Sequence, residues 1–199
     1  MLMLITIERM LNQPVMSLQT GQPLAKIDSP IINPNNLKIV AFYVSGPMVD
    51  FSPAVLFAED IREFGDMGAI VDSSDNIMSP EGMVRLNEIV NYRFELPGIL
   101  VVDEQKRKLG KVESYIITPD DLQIQQLYLK PSLAKSLSVA HLTISRDQII
   151  EVDNNKIVVK IPTVKEGVAG RVAQITENTV PFENPFRKPK PISENSEQD

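Results

Sequence analysis

The chain has 199 residues, a formal net charge of −6, one histidine and no cysteine. Disulfides, thiolate nucleophiles, iron–sulfur ligation and thiolate-bound zinc are therefore excluded, and the acidic balance supplies no bulk attraction for nucleic acid. Hydrophobic content of 43% suffices for a core, while 15 prolines, 6% aromatics and no tryptophan suit many short strands and turns better than long helices.

The opening run Met1-Leu2-Met3-Leu4-Ile5-Thr6-Ile7 is apolar but meets Glu8 and Arg9. It has neither the basic flank nor the small-residue cleavage site of a signal peptide. No stretch approaches the ~18 apolar residues of a spanning helix. These features point to a cytoplasmic location.

From Pro23 the chain begins a pattern that it later repeats. Residues 23–44, PLAKIDSPIINPNNLKIVAFYV, lie over residues 108–129, KLGKVESYIITPDDLQIQQLYL, at an offset of 85 without a gap. Nine of the 22 positions are identical: Leu24/Leu109, Lys26/Lys111, Ser29/Ser114, Ile31/Ile116, Ile32/Ile117, Pro34/Pro119, Leu37/Leu122, Ile39/Ile124 and Tyr43/Tyr128. After a shift of three, residues 61–71 lie over 149–159, with Ile61/Ile149, Glu63/Glu151, Ile70/Val158 and Val71/Val159 matching in type. The extra residues fall between Ser45–Leu56 and Lys130–Ile144, where a surface loop is expected.

Each copy reads as a meander of short strands. Asn33-Pro34-Asn35-Asn36 and Thr118-Pro119-Asp120-Asp121 carry proline and Asn or Asp in turn positions. Strands are expected before the turn (Leu24–Ile32, Leu109–Ile117) and after it (Leu37–Val44, Leu122–Leu129). A further hairpin is expected at Gly65-Asp66-Met67-Gly68 and at Asp153-Asn154-Asn155. Along Leu122–Leu129 the apolar set changes parity, from Leu122 and Ile124 to Leu127 and Leu129, which predicts a bulge or strong coiling, as in a small closed barrel.

Between the copies, Ser79-Pro80-Glu81 reads as an N-cap, a proline at the first helical position and a first-turn acid. Met83, Leu86 and Val90 follow at helical spacing, predicting an amphipathic helix from about Pro80 to Asn91. The resulting layout is an N-terminal extension (1–14), a first repeat (15–78), a helical connector (79–97), a second repeat (98–163) and a C-terminal extension (164–199). The last, with Phe182, Phe186, Arg187, Lys188, Lys190 and several prolines, is expected to be disordered from about residue 181.

The second copy carries a family resemblance. Val101-Val102-Asp103-Glu104 followed by Lys108-Leu109-Gly110-Lys111-Val112 and Tyr115-Ile116-Ile117 resembles the opening of a PRC-barrel domain. Ile144-Ser145-Arg146-Asp147-Gln148-Ile149 and Phe57-Ala58-Glu59-Asp60-Ile61-Arg62 resemble its segment before the last hairpin. Copy one departs at Ala25, where the family has glycine, and at Pro30 inside the first strand. The resemblance implies a mainly β protein of two tandem small PRC-type β-barrels, a short connecting helix and an extended tail. It also implies docking on protein assemblies, since the family includes the cytoplasmic domain of the reaction-centre H subunit and the C-terminal domain of a ribosome maturation factor.

The chemical inventory is thin. His141 has Ser138, Ser145 and Asp147 near it in sequence, but a triad is defined by geometry, and no Gly-x-Ser-x-Gly elbow is present. Asp72-Ser73-Ser74-Asp75-Asn76 lacks the alternation, glycine and closing glutamate of a calcium loop. Gly65-Asp66-Met67-Gly68 has hairpin spacing and not that of a phosphate cradle. The densest basic cluster, Lys106, Arg107, Lys108 and Lys111, is either a solvated turn and strand edge or a contact for RNA phosphates or an acidic protein. The expectation is a non-enzymatic adaptor or assembly module without cofactor, docking on a protein partner. The alternatives are a maturation factor associated with RNA or the ribosome, and an accessory subunit recruited to a membrane complex.

Overall fold

Turn chemistry and burial parity set the strands. The computed structural model describes residues 4–131 and 142–160. His141, most of the loop 130–144 and residues 161–199, with the basic tail and the disorder expected from about residue 181, lie outside the described residues.

The first copy runs from β2 (Pro14–Ser17) through β3 (Pro23–Asn33), β4 (Lys38–Ser45), β5 (Ala54–Phe57) and β6 (Glu63–Gly65) to β7 (Gly68–Val71). The second runs from β9 (Leu100–Asp103) through β10 (Lys108–Thr118), β11 (Gln123–Pro131), β12 (Leu142–Ser145) and β13 (Ile149–Val152) to β14 (Lys156–Val159). The short strands β1 (Ile5–Thr6) and β8 (Ile77–Met78), one α-helix, α1 (Val84–Asn91), and 3-10 turns at Ile7–Arg9, Ala58–Asp60, Ser74–Asn76 and Arg146–Gln148 complete the described elements.

The repeat is exact in its hydrogen bonding. In β3–β4, Ile27 pairs Val44, Ser29 pairs Tyr43 and Ile31 pairs Ala41. In β10–β11, Val112 pairs Leu129, Ser114 pairs Tyr128 and Ile116 pairs Gln126, each 85 residues on. The parity change is a bulge: Ile124 pairs Ile117 and Gln126 pairs Ile116, leaving Gln125 as the extra residue, as Val40 is in copy one. The extra residue turns Leu127 and Leu129 onto the face that Ile124 also buries. The turns match as well. Leu37 and Leu122 sit at φ +52° and +54°, each closing its turn by donating its N–H to the Asn33 or Thr118 carbonyl. That left-handed backbone costs a leucine roughly 1–2 kcal/mol, offset by burying both side chains in the core.

Two tandem closed barrels are not what forms. The fourteen described strands bond into one mixed sheet ordered β13-β14-β9-β10-β11-β4-β3-β2-β7-β6, and this path does not close on itself. Closing the first copy would require β5 to bond back towards β6. Instead the 3-10 turn Ala58–Asp60 redirects the chain, and the other side of β5 is taken by β8. The copies join edge to edge: Lys38 pairs Gln123, Ile39 N–H donates to the Leu122 carbonyl and Ile124 N–H to the Leu37 carbonyl, both at 3.0 Å. Because Lys38 and Gln123 are repeat equivalents, the junction is a local two-fold axis. The bulges that suggested closure instead coil an open sheet around a shared core, in which Ile27, Phe42, Tyr115 and Leu127 belong to one cluster.

The helix starts later than its sequence signal. Ser79 Oγ accepts from Glu81 N–H, but Gly82 at φ +79° breaks the turn, so regular helix begins at Val84. Leu86 then packs with Ile31, Ala41 and Val55 on the outer face of copy one. In copy two the matching outer positions are Ile116, Gln126 and Thr143, a more polar set.

Candidate interaction surfaces

The turn between β9 and β10 is built on a buried carboxylate. Asp103, only 2% exposed, accepts from the backbone N–H of Gln105 at 2.9 Å and of Arg107 at 2.8 Å. Arg107 Nε also donates to Asp103, and its Nη2 donates to Gln105 at 2.9 Å. Desolvation pushes the Asp103 pKa up, but the hydrogen bonds and charge of Arg107 outweigh it and hold the group below its ordinary value. Copy one places Ser17 in the same role, its Oγ accepting from Thr20 N–H.

This geometry divides the four basic residues singled out by sequence. Arg107 is committed to Asp103 and Gln105, so its guanidinium holds the turn. Lys106, Lys108 and Lys111 are exposed and, among the described residues, make no ion pair. Lys111 gains neighbours that sequence spacing does not show. It pairs Lys130 across one edge and Leu100 across the other, and Leu100 in turn pairs Lys156. Residues directly opposite one another share a face, so Lys130, Lys111, Leu100 and Lys156 form one row across the outer side of the sheet. Lys156 also approaches Asp153 at 3.9 Å.

The local two-fold axis produces two related clefts. In the smaller, about 220 Å³, the turn Pro34–Leu37 faces Arg146, Ile149 and Glu151. Arg146 Nη1 donates to the Asn36 carbonyl at 2.8 Å, and Gln123 Nε2 reaches the same oxygen at 3.0 Å. In the larger, about 610 Å³, the turn Pro119–Leu122 faces Ala58, Ile61 and Glu63. The two differ where the copies differ in sequence: Ala58 for Arg146, and Asp120-Asp121 for Asn35-Asn36.

A third groove, about 550 Å³, lies between α1, β3 and Tyr115, with Ile7, Leu11 and Phe94 in its walls. Burial, and secondarily the Glu8 charge, push the Tyr115 hydroxyl well above its usual pKa. Among the described residues, no group of three or more His, Asp or Glu is placed to hold a metal ion, and no helix is long and apolar enough to cross a membrane.

Compared with known proteins, the chain matches no family model, and no curated protein matches it significantly. What fold and surfaces define together is the class: a duplicated, coiled open β-sheet with a local two-fold axis.

Proposed function

We propose that the chain is a non-enzymatic adaptor that docks on a protein assembly. The observation that supports this most directly is the pair of sheet ends. Strands β6 and β13 are bonded on one side only among the described residues, and β13 presents Ile150, 55% exposed, beside its open backbone edge. An open edge offers unpaired N–H and C=O groups to an incoming strand, and an adjacent apolar side chain gives that strand a register. The PRC-barrel resemblance points the same way, resting on the residues quoted for it and not on a closed barrel.

The test is a crosslinking pull-down from native lysate with the wild type and with Ile150→Lys. A reproducible partner, weakened at least about tenfold by Ile150→Lys without loss of thermal stability, is the expected result. Absence of any reproducible partner would remove the adaptor reading.

A second reading, association with RNA or the ribosome, is favoured by the lysine row. Phosphate contact predicts cofractionation with ribosomal particles at low salt, lost on raising salt and in a Lys108→Glu/Lys111→Glu/Lys130→Glu variant. If the protein sediments away from the particles even at low salt, this reading fails.

A further inference from the structure

The two clefts are one construction used twice, with Ala58 in place of Arg146 and Asp120-Asp121 in place of Asn35-Asn36. In the smaller, the chain fills its own site: Arg146 lays a guanidinium against the Asn36 carbonyl. In the larger, the equivalent carbonyl belongs to Asp121, and among the described residues no side chain donates to it. Ala58 ends at Cβ where Arg146 extends, and the cleft beside it is the larger, about 610 against 220 Å³, reaching on to Lys38, Phe57 and Phe64.

The net charge of the lining is also more negative in the larger cleft. Glu59, Glu63, Asp120 and Asp121 line the larger cleft against Lys38 and Arg62. Arg62 is engaged elsewhere, donating from Nη2 and Nε to Asp72 at 2.6 and 3.0 Å. The four carboxylates are dispersed around the cleft and form no metal-binding group. Dispersed acceptors around a carbonyl suit a planar, five-donor cation better than a compact ion. The acidic lining disfavours phosphate.

We propose that this cleft receives an arginine side chain from a partner protein, which takes the place that Arg146 occupies in the related cleft. The assignment rests on the adaptor reading and specifies its chemistry. The incoming guanidinium donates to the Asp121 carbonyl and to the carboxylates of Asp120 and Glu59, with charge-assisted bonds setting the preference for arginine over a neutral group.

The experiment titrates the full chain with N-acetyl-arginine-N-methylamide while following backbone amide chemical shifts, with the uncharged citrulline analogue as control. Saturable shifts at Ala58–Phe64 and Asp120–Leu122 are expected. Binding should weaken about fivefold for citrulline and for Asp120→Asn/Asp121→Asn, whose turn copies residues this chain already folds in copy one. Ala58→Arg should abolish the shifts by supplying the chain's own guanidinium. No shifts at the cleft, equal binding of citrulline, or shifts unchanged in Ala58→Arg would each overturn the proposal. The adaptor reading is separable. If Ala58→Arg recovers the wild-type crosslinked partner undiminished, the cleft assignment falls and the adaptor stands. If the wild type recovers no partner while arginine binds the cleft as described, the adaptor reading and the partner origin of the arginine both fall, and only the cleft's preference for a guanidinium stands.

Discussion

Asp103 shows how a single residue can be misjudged from its neighbours in sequence. Next to Glu104 and ahead of three basic residues it reads as part of a solvated charged turn, yet it is buried and organises that turn. Burial of a carboxylate is tolerable because two backbone N–H groups and a guanidinium converge on it. Its pKa is held below the ordinary value of 3.8 in the folded state. The associated stability is therefore fully present above the unfolded-state pKa and lost as pH falls through the folded-state value. Asp103→Asn should lower the melting temperature clearly at pH 7, and the gap to wild type should narrow in melts taken below pH 3.8. A gap independent of pH would show that the charge contributes nothing.

At the scale of elements, the close approach of β10 and β11 is governed by one missing Cβ. A Cβ on Gly110 would lie 2.3 Å from the Lys130 carbonyl oxygen, and backbone on a paired strand cannot step aside cheaply. Copy one carries Ala25 at the equivalent position, which in the sequence looks like a defect in the first repeat. The structure shows the compensation: Gly46 stands opposite, and a Cβ there would come within 2.9 Å of the Ala25 Cα. Each copy thus keeps one glycine at this crossing, on alternate strands. Gly110→Ala should cost about 1–3 kcal/mol in urea unfolding, whereas Ala25→Gly should cost less than about 1 kcal/mol. Equal costs would mean that the crossing relaxes freely. The helix likewise starts only at Val84, because Gly82 interrupts a turn that Ser79-Pro80-Glu81 opens.

At the scale of the molecule, both copies contribute to one apolar cluster and share the backbone junction at Lys38–Gln123. The two halves therefore share an apolar interior and a backbone junction. Calorimetry should therefore show a single unfolding transition for the described body, with calorimetric and van't Hoff enthalpies in agreement. Two resolved transitions would mean that the halves fold independently. The surfaces were partly legible in the sequence. Lys106, Lys108 and Lys111 were visible as a run, but Lys130 and Lys156 join them only through cross-strand register. The acidic cleft had a trace in the sequence, the exchange of Ala58 for Arg146 and of Asp120-Asp121 for Asn35-Asn36. That trace has meaning only once the two turns are known to face the opposite copy.

The amino-acid order alone determined the duplication, the two strands around each proline turn, the later hairpins and the bulged parity, because these follow from steric limits on each residue and from burial alternating along one strand. The tertiary structure decided that β4 meets β11, that the sheet stays open and that Arg107 is consumed by Asp103. Every strand edge carries the same donors and acceptors, so the choice among distant edges depends on how whole faces pack and leaves no mark on any one segment.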